Sequence, residues 1–316
     1  MLDDRARAGV LELSAAGPQG APIRPESVSA RGAVRALLDQ GPGDLALRLL
    51  LVALLFAPVG GPWLRPLAMG LAGFGLLAPG ALRSTALWAA LAVLAALRVV
   101  LDWPLADNHA YLLAYWCLAA LLTTRAADGA AVLAGNGRVL VGLVFLFATL
   151  WKAVLSPDFV DGRFFAVTLV DDERMEALAL GLGGLEEHTL WNFRDLVREH
   201  ADGPFVPWDV MPEQTARFRA LVQALTWATL LVEGALALVF LVPLPGRLVA
   251  LRHALLLAFC AGTYAVAPVA GFGWLLLSMG VAQTPPASRR WRAAYLAVFA
   301  FVLLVTHWPW GDLLVG

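Results

Sequence analysis

Lysine is almost missing from this chain. Of 23 Lys+Arg residues only Lys152 is a lysine, and it lies inside an apolar stretch, Phe145-Leu-Phe-Ala-Thr-Leu-Trp-Lys152-Ala-Val-Leu155. A guanidinium stays charged at any biological pH, whereas a desolvated amine can release its proton and act as a base or nucleophile. A chain that uses arginine at every other such position has kept one amine where arginine cannot replace it chemically. The opposing reading is positional: Lys152 falls one turn before Ser156-Pro157, where it can extend its ammonium into headgroups beside Trp151. Both readings stand on the residues alone. Cysteine is nearly as scarce. Cys117 and Cys260 both fall in apolar stretches, which excludes a disulfide framework and a thiolate metal centre and leaves them as core filler. Charge is sparse too, at 15% of residues with a net of −1, so no basic surface for nucleic acid is present.

What fills the chain instead is apolar. Hydrophobic residues make up 60% and the mean hydropathy is +0.72, beyond the roughly one-half apolar content usual for soluble domains. Apolar runs recur along nearly the whole length and predict an all-α, polytopic membrane helix bundle of eight or nine spans. The runs are 44–60, 66–81, 85–101, 109–124, 138–156, 218–243, 249–267, 270–284 and 293–310, the second and eighth short and glycine-containing enough to be re-entrant. Residues 1–43 read as a flexible cytosolic tail with a short helix near Val34–Asp39, and residues 44–316 as the bundle. Arginine placement sets the orientation. With the N-terminus inside, Arg83, Arg125, Arg138, Arg247, Arg289, Arg290 and Arg292 fall in cytoplasmic loops, and the C-terminus emerges on the periplasmic side. The segment 157–216 then lies outside the membrane; its thirteen acidic residues against four arginines mark it as solvated. Within it, Glu186–Arg198 has the pattern of an amphipathic helix that lies on the membrane or caps the bundle.

Four places set polar side chains where a bilayer disfavours them. They are Asp107-Asn108-His109 with Tyr111; Lys152 with the Asp158-Phe-Val-Asp-Gly162 turn; Glu233; and His253. Each has a plain structural alternative. Asp107-Asn108 is an ordinary N-cap sequence, His109 can simply lie at an interface, and His253 beside Arg252 can be a core histidine. Arg98 can pair with Asp102. Counted from span ends, Glu233 lies roughly 16 Å deeper than Lys152 at ~1.5 Å per residue, so no direct salt bridge between them is expected. Glu233 is instead expected to face the bundle interior.

The order of these residues resembles the vitamin K-dependent γ-carboxylase family and its bacterial relatives with a horizontally transferred transmembrane (HTTM) domain. Asn108-His-Ala-Tyr-Leu112 is similar to an Asn-His-x-Tyr-Leu segment of that family. Lys152 and Asp158-Phe-Val-Asp-Gly162 stand where the family has a lysine followed by Asp-Trp-x-x-Gly. Glu233 and His253 stand where it has an acid and a histidine in the next two spans. The likeness runs over about residues 44–285. It implies an enzyme of the bacterial inner membrane in which Lys152 deprotonates a reduced, vitamin K-like quinone, opening lyase-type carboxylation chemistry. Asp107, Asn108, His109, Tyr111, Asp158, Gly162, Glu233 and His253 are then pocket residues, no metal is expected, and the substrate is a protein or small molecule on the periplasmic side. The spacing departs from the family in one respect. Lys152 stands six residues before Asp158 where the family has four, and Val154 occupies the family position. Two residues turn a side chain by about 200° on a regular helix, so Lys152 can face inward only if the helix end unwinds or the Ser156-Pro157 turn absorbs the difference. The alternatives to an enzyme are a transporter or channel for a small solute, using Glu233, Arg98 and His253, and a non-catalytic membrane partner that docks another protein through its acidic outer segment.

Overall fold

The computed structural model describes residues 30–57, 60–199, 215–266 and 271–307, and among these every regular element is helical. The longer helices are α1 (Ala30–Asp39), α2 (Pro42–Phe56), α3 (Leu64–Leu77), α4 (Thr85–Leu101), α5 (Asn108–Thr123), α6 (Gly129–Leu150), α7 (Pro157–Val160), α8 (Arg163–Asp171), α9 (Glu187–Glu199), α10 (Ala216–Leu241), α11 (Val249–Val266), α12 (Phe272–Ala282) and α13 (Arg289–His307). Their starts follow from side-chain caps that satisfy otherwise free N–H groups. Ser84, Asp107, Asp128 and Thr215 accept from Leu87, Ala110, Ala131 and Phe218 respectively. The nine apolar runs coincide with α2–α6 and α10–α13. Four segments are long and apolar enough to cross a membrane: Gly129–Leu155, Ala216–Leu241, Gly246–Val266 and Arg289–His307.

The tail predicted over 1–43 is described only from residue 30, and there it is not loose. Residues 30–39 form α1, which Arg289 holds through Asp39 at 2.5 Å and Arg292 through the Leu38 carbonyl at 3.0 Å. The bundle therefore begins before residue 44.

The core is built around α12. Ten of its 11 residues are buried, as expected of a helix that is apolar on every side. It packs against α2, α5, α6, α11 and α13. Close approach comes from small residues: a methyl added at Gly273 would sit 2.6 Å from the Tyr264 ring, and Gly280 lies under Tyr295 in the same way. In lipid, apolar faces gain nothing by leaving solvent, so such close packing and buried hydrogen bonds supply the cohesion. Trp116 Nε1 donating to Ser278 Oγ at 3.0 Å is one of those bonds.

A second, smaller core belongs to the segment between α6 and α10. Leu169, Val170, Met175, Leu190 and Phe193 close over Phe218 and Val222 of α10. Helix α9 caps this core, as one of the two sequence readings of Glu186–Arg198 has it. α10 thus serves both layers. Its 26 residues extend about 39 Å at ~1.5 Å per residue, the first turns in the outer core and the remainder against α6.

Candidate functional site

Helices α6 and α10 run antiparallel in close contact. A methyl on Gly234 would touch Thr149 at 3.7 Å, and one on Gly142 would meet Leu241 at 2.6 Å. This register brings the last turn of α6 level with the middle of α10, and Lys152 Nζ bonds directly to Glu233 Oε1. The sequence expectation of no salt bridge is overturned. It assumed that both helices start from one interface plane, whereas α10 starts several turns above the end of α6, inside the outer core. The expectation that Glu233 faces inward holds. Its side chain is 8% exposed and that of Lys152 24%.

The inward aim of Lys152 has a local cause. Residues Trp151–Leu155 form a π-helical turn at the end of α6. A π turn accommodates one extra residue, which takes up about 100° of the two-residue departure in spacing. Val154, in the family's lysine position, is 70% exposed and points outward. The unwinding needed for Lys152 to turn inward is therefore present in the chain.

The turn after Lys152 completes the surroundings. Gly162 has φ +90°, and a Cβ there would lie 2.7 Å from Val222, so only glycine lets this turn close onto α10. Gln223 Nε2 donates to the Asp161 carbonyl at 3.3 Å and fixes the same contact. Asp158 and Asp161 are both taken up by Arg163, Asp161 at 2.7 Å. What the turn presents to Lys152 is the buried Phe159 ring, 5.3 Å from Nζ, an arrangement that favours an ammonium through the ring quadrupole. One acceptor is left over. Glu233 Oε2 is buried and has no hydrogen-bond partner among the described residues. An unpaired buried oxygen of this kind costs on the order of 1–3 kcal/mol or more, so a donor that reached it would be held firmly.

The remaining predicted site residues lie elsewhere. Asp107 caps α5, accepting from Ala110 N at 2.7 Å, and Asn108 is exposed at the first turn. His109 stacks on Phe272 of α12 with ring centroids 4.5 Å apart, and Tyr111 is half-buried. Among the described residues no hydrogen bond, ion pair or ring contact joins Asp107, Asn108, His109 or Tyr111 to Lys152 or Glu233. His253 is buried towards the far end of the bundle, its Nδ1 3.0 Å from the Tyr295 hydroxyl and its ring against Trp291. Arg98 pairs with Asp102 at 2.6 Å. No group of three or more His, Cys, Asp or Glu side chains among the described residues could hold a metal ion.

Sequence reasoning missed two features. Phe159 figured only as a spacer in the Asp158–Gly162 turn, although an aromatic one short turn beyond a lone lysine is a recognisable signal. Arg194, 3% exposed, was treated as one of the solvated charges of the outer segment. It bonds Glu176 at 2.5 Å and the Val170 carbonyl at 2.9 Å.

No family model matches the chain, and no curated protein or solved structure does either. The resemblance to the carboxylase family rests on the residues that carry it.

Proposed function

We propose that this chain is an integral membrane enzyme in which Lys152 is the base and Glu233 its proton partner, acting on the acidic hydroxyl of a quinol or a quinol-like lipid. The observation that carries this reading is the bond between the one lysine and a buried carboxylate whose second oxygen is free. Burial disfavours both charges of an ion pair. Moving one proton from Nζ to the carboxylate exchanges the ammonium–carboxylate pair for an amine–carboxylic acid pair, and the amine can then take a proton from a hydroxyl within hydrogen-bond reach. The resulting ammonium is stabilised by the Phe159 ring. Arginine could not take part in this exchange.

A reduced, vitamin K-like quinone fits these residues: Lys152 and the free Glu233 oxygen offer a hydroxyl both an acceptor and a donor, and Phe159 offers an aromatic wall. When bound, such a group supplies the reducing electrons for carboxylase-like chemistry. The proton abstraction is the step assigned to this chain. In the topology that belongs to this proposal, α2–α6 and α10–α13 cross or enter the inner membrane with the N-terminus cytoplasmic, and 157–216 and the C-terminus are periplasmic. The arginine distribution supports it. The Lys152–Glu233 pair then lies where the bundle meets the periplasmic segment, open to a substrate from either.

The test uses the purified protein in detergent without oxygen, with 2-methyl-1,4-naphthohydroquinone as probe. Wild-type protein is expected to produce the absorbance of the naphtholate anion at a pH where the free probe is protonated. Lys152→Arg, folded to the same thermal midpoint, is expected to lose it. Equal anion absorbance in both proteins would contradict the proposal.

A further inference from the structure

A second site lies at the opposite end of the bundle. There Gly43 packs on Leu133, a position roughly 28 Å before Lys152 along α6 at ~1.5 Å per residue. A cavity of about 390 Å³ opens between the start of α2, the end of α3 and the turn before α4, with Asp44, Arg48 and Arg83 in its wall beside the backbone of 75–80. The turn is held in place. Gly80 supplies a left-handed residue at φ +77°, and Trp88 Nε1 donates to the Leu82 carbonyl at 2.8 Å.

The guanidiniums at this end of the bundle are not alike. Arg292 donates to the carbonyls of Leu38, Pro285 and Pro286, Arg252 to that of Val239, and Arg289 pairs with Asp39. Arg48 Nε, by contrast, is buried without a hydrogen-bond partner. Arg83 reaches Asp44 only at 3.9 Å, with both side chains largely in the open, a pairing that contributes little and yields readily. Two guanidiniums against one carboxylate leave a positive balance, and a guanidinium is a fork shaped for two oxygens of one anion.

We infer that this cavity binds the phosphate group of a phosphate ester, Arg48 and Arg83 taking its oxygens and Asp44 accepting from a hydroxyl or ammonium on the alcohol side. Its volume suits a headgroup-sized molecule. The ester can be a membrane phospholipid or a water-soluble phosphate, since the recognising chemistry is shared.

Native mass spectrometry of the full chain released from detergent tests this with two probes, dioleoylphosphatidylglycerol and glycerol 1-phosphate. Dioleoylglycerol, which lacks the phosphate, serves as the comparison. Retention of one molecule of the lipid but not of glycerol phosphate assigns the site to the membrane; retention of glycerol phosphate assigns it to a soluble ester. In either case Arg48→Gln is expected to weaken binding about tenfold, the usual consequence of losing one charge-assisted hydrogen bond. Arg83→Gln changes a mostly exposed side chain, so it keeps the fold and should still weaken binding severalfold. Arg65→Gln, at another exposed arginine, should change nothing. Retention of neither phosphate probe overturns the inference, as does retention unaffected by Arg48→Gln and Arg83→Gln, or equal retention of dioleoylglycerol.

Discussion

Each layer of the molecule buries one basic–acidic pair, and the two pairs are built differently. In the outer layer Arg194 is tied on several sides, to Glu176, to the Val170 carbonyl and over the Trp191 ring. In the bundle Lys152 has one carboxylate oxygen and one ring, and the carboxylate keeps an oxygen in reserve. The first is a fixed charge pinning α8 to α9. The second is a charge that can be dissolved by moving one proton. Which basic residue stands in each place accounts for the difference: arginine where geometry must hold, lysine where a proton must move.

The strongest way to break this comparison is to remove one partner from each pair. Glu233→Leu and Arg194→Leu should each cost about 3–5 kcal/mol, because each strands a buried charge or carboxylate. The partly exposed Lys152 puts the first toward the lower figure. Glu233→Gln should cost less than Glu233→Leu, since the amide oxygen still accepts from Nζ. Unfolding in sodium dodecyl sulfate, followed by hydrogen exchange, checks this. Arg194→Leu should expose α8 and α9 and leave α2 and α12 protected; loss of protection throughout would mean that the two layers are not separate.

A smaller effect of opposite location is expected from Gly273→Ala. Its methyl would meet the Tyr264 ring, and overpacking of this kind costs about 1–3 kcal/mol. The thermal midpoint should fall while the outer layer keeps its exchange protection. An unchanged midpoint would show that α12 packs less tightly than described.

How far all this was legible in the sequence depends on the element. The places of α2–α6 and α10–α13 follow from apolar runs, since a helix that must bury all its faces can be written only in apolar residues. The Asp107 cap and the Arg98–Asp102 pair follow from local spacing. The Lys152–Glu233 bond did not, because depth was counted from span ends and nothing local reveals that α10 begins inside a second core. The complementary clue was chemical: a lone lysine and a lone mid-helix acid on helices joined by one segment. The π turn at Trp151–Leu155 was anticipated only as a condition for Lys152 to turn inward. The Arg194 pair was hidden by its acidic neighbours, which made the whole segment read as solvated.

The smallest expected effect is one of pH, and it is confined to the outer layer. The hydrogen bond from Arg174 holds the Asp172 carboxyl below its ordinary value of 3.8. A carboxyl depressed in the folded state contributes stability that is present above the unfolded value and lost as pH falls through the folded one. Exchange protection around Glu173–Met175, whose helical turn Asp172 caps, should therefore persist down to about pH 4 and decline below it. Asp172→Asn should flatten that decline. A decline centred near pH 6 would point to other groups.

Because Lys152 is the one lysine of the chain, protein labelled with ¹⁵N at lysine Nζ carries a single side-chain amine signal. Recording that signal with and without bound 2-methyl-1,4-naphthohydroquinone is the most direct test of proton transfer at Lys152. If Lys152 is the base and Glu233 its partner, the signal should differ between wild type and Glu233→Gln before any ligand is added, and should move in wild type when the hydroquinone binds. A signal identical in wild type and Glu233→Gln, and unmoved by the hydroquinone, would place the amine among headgroups and contradict the proposed chemistry.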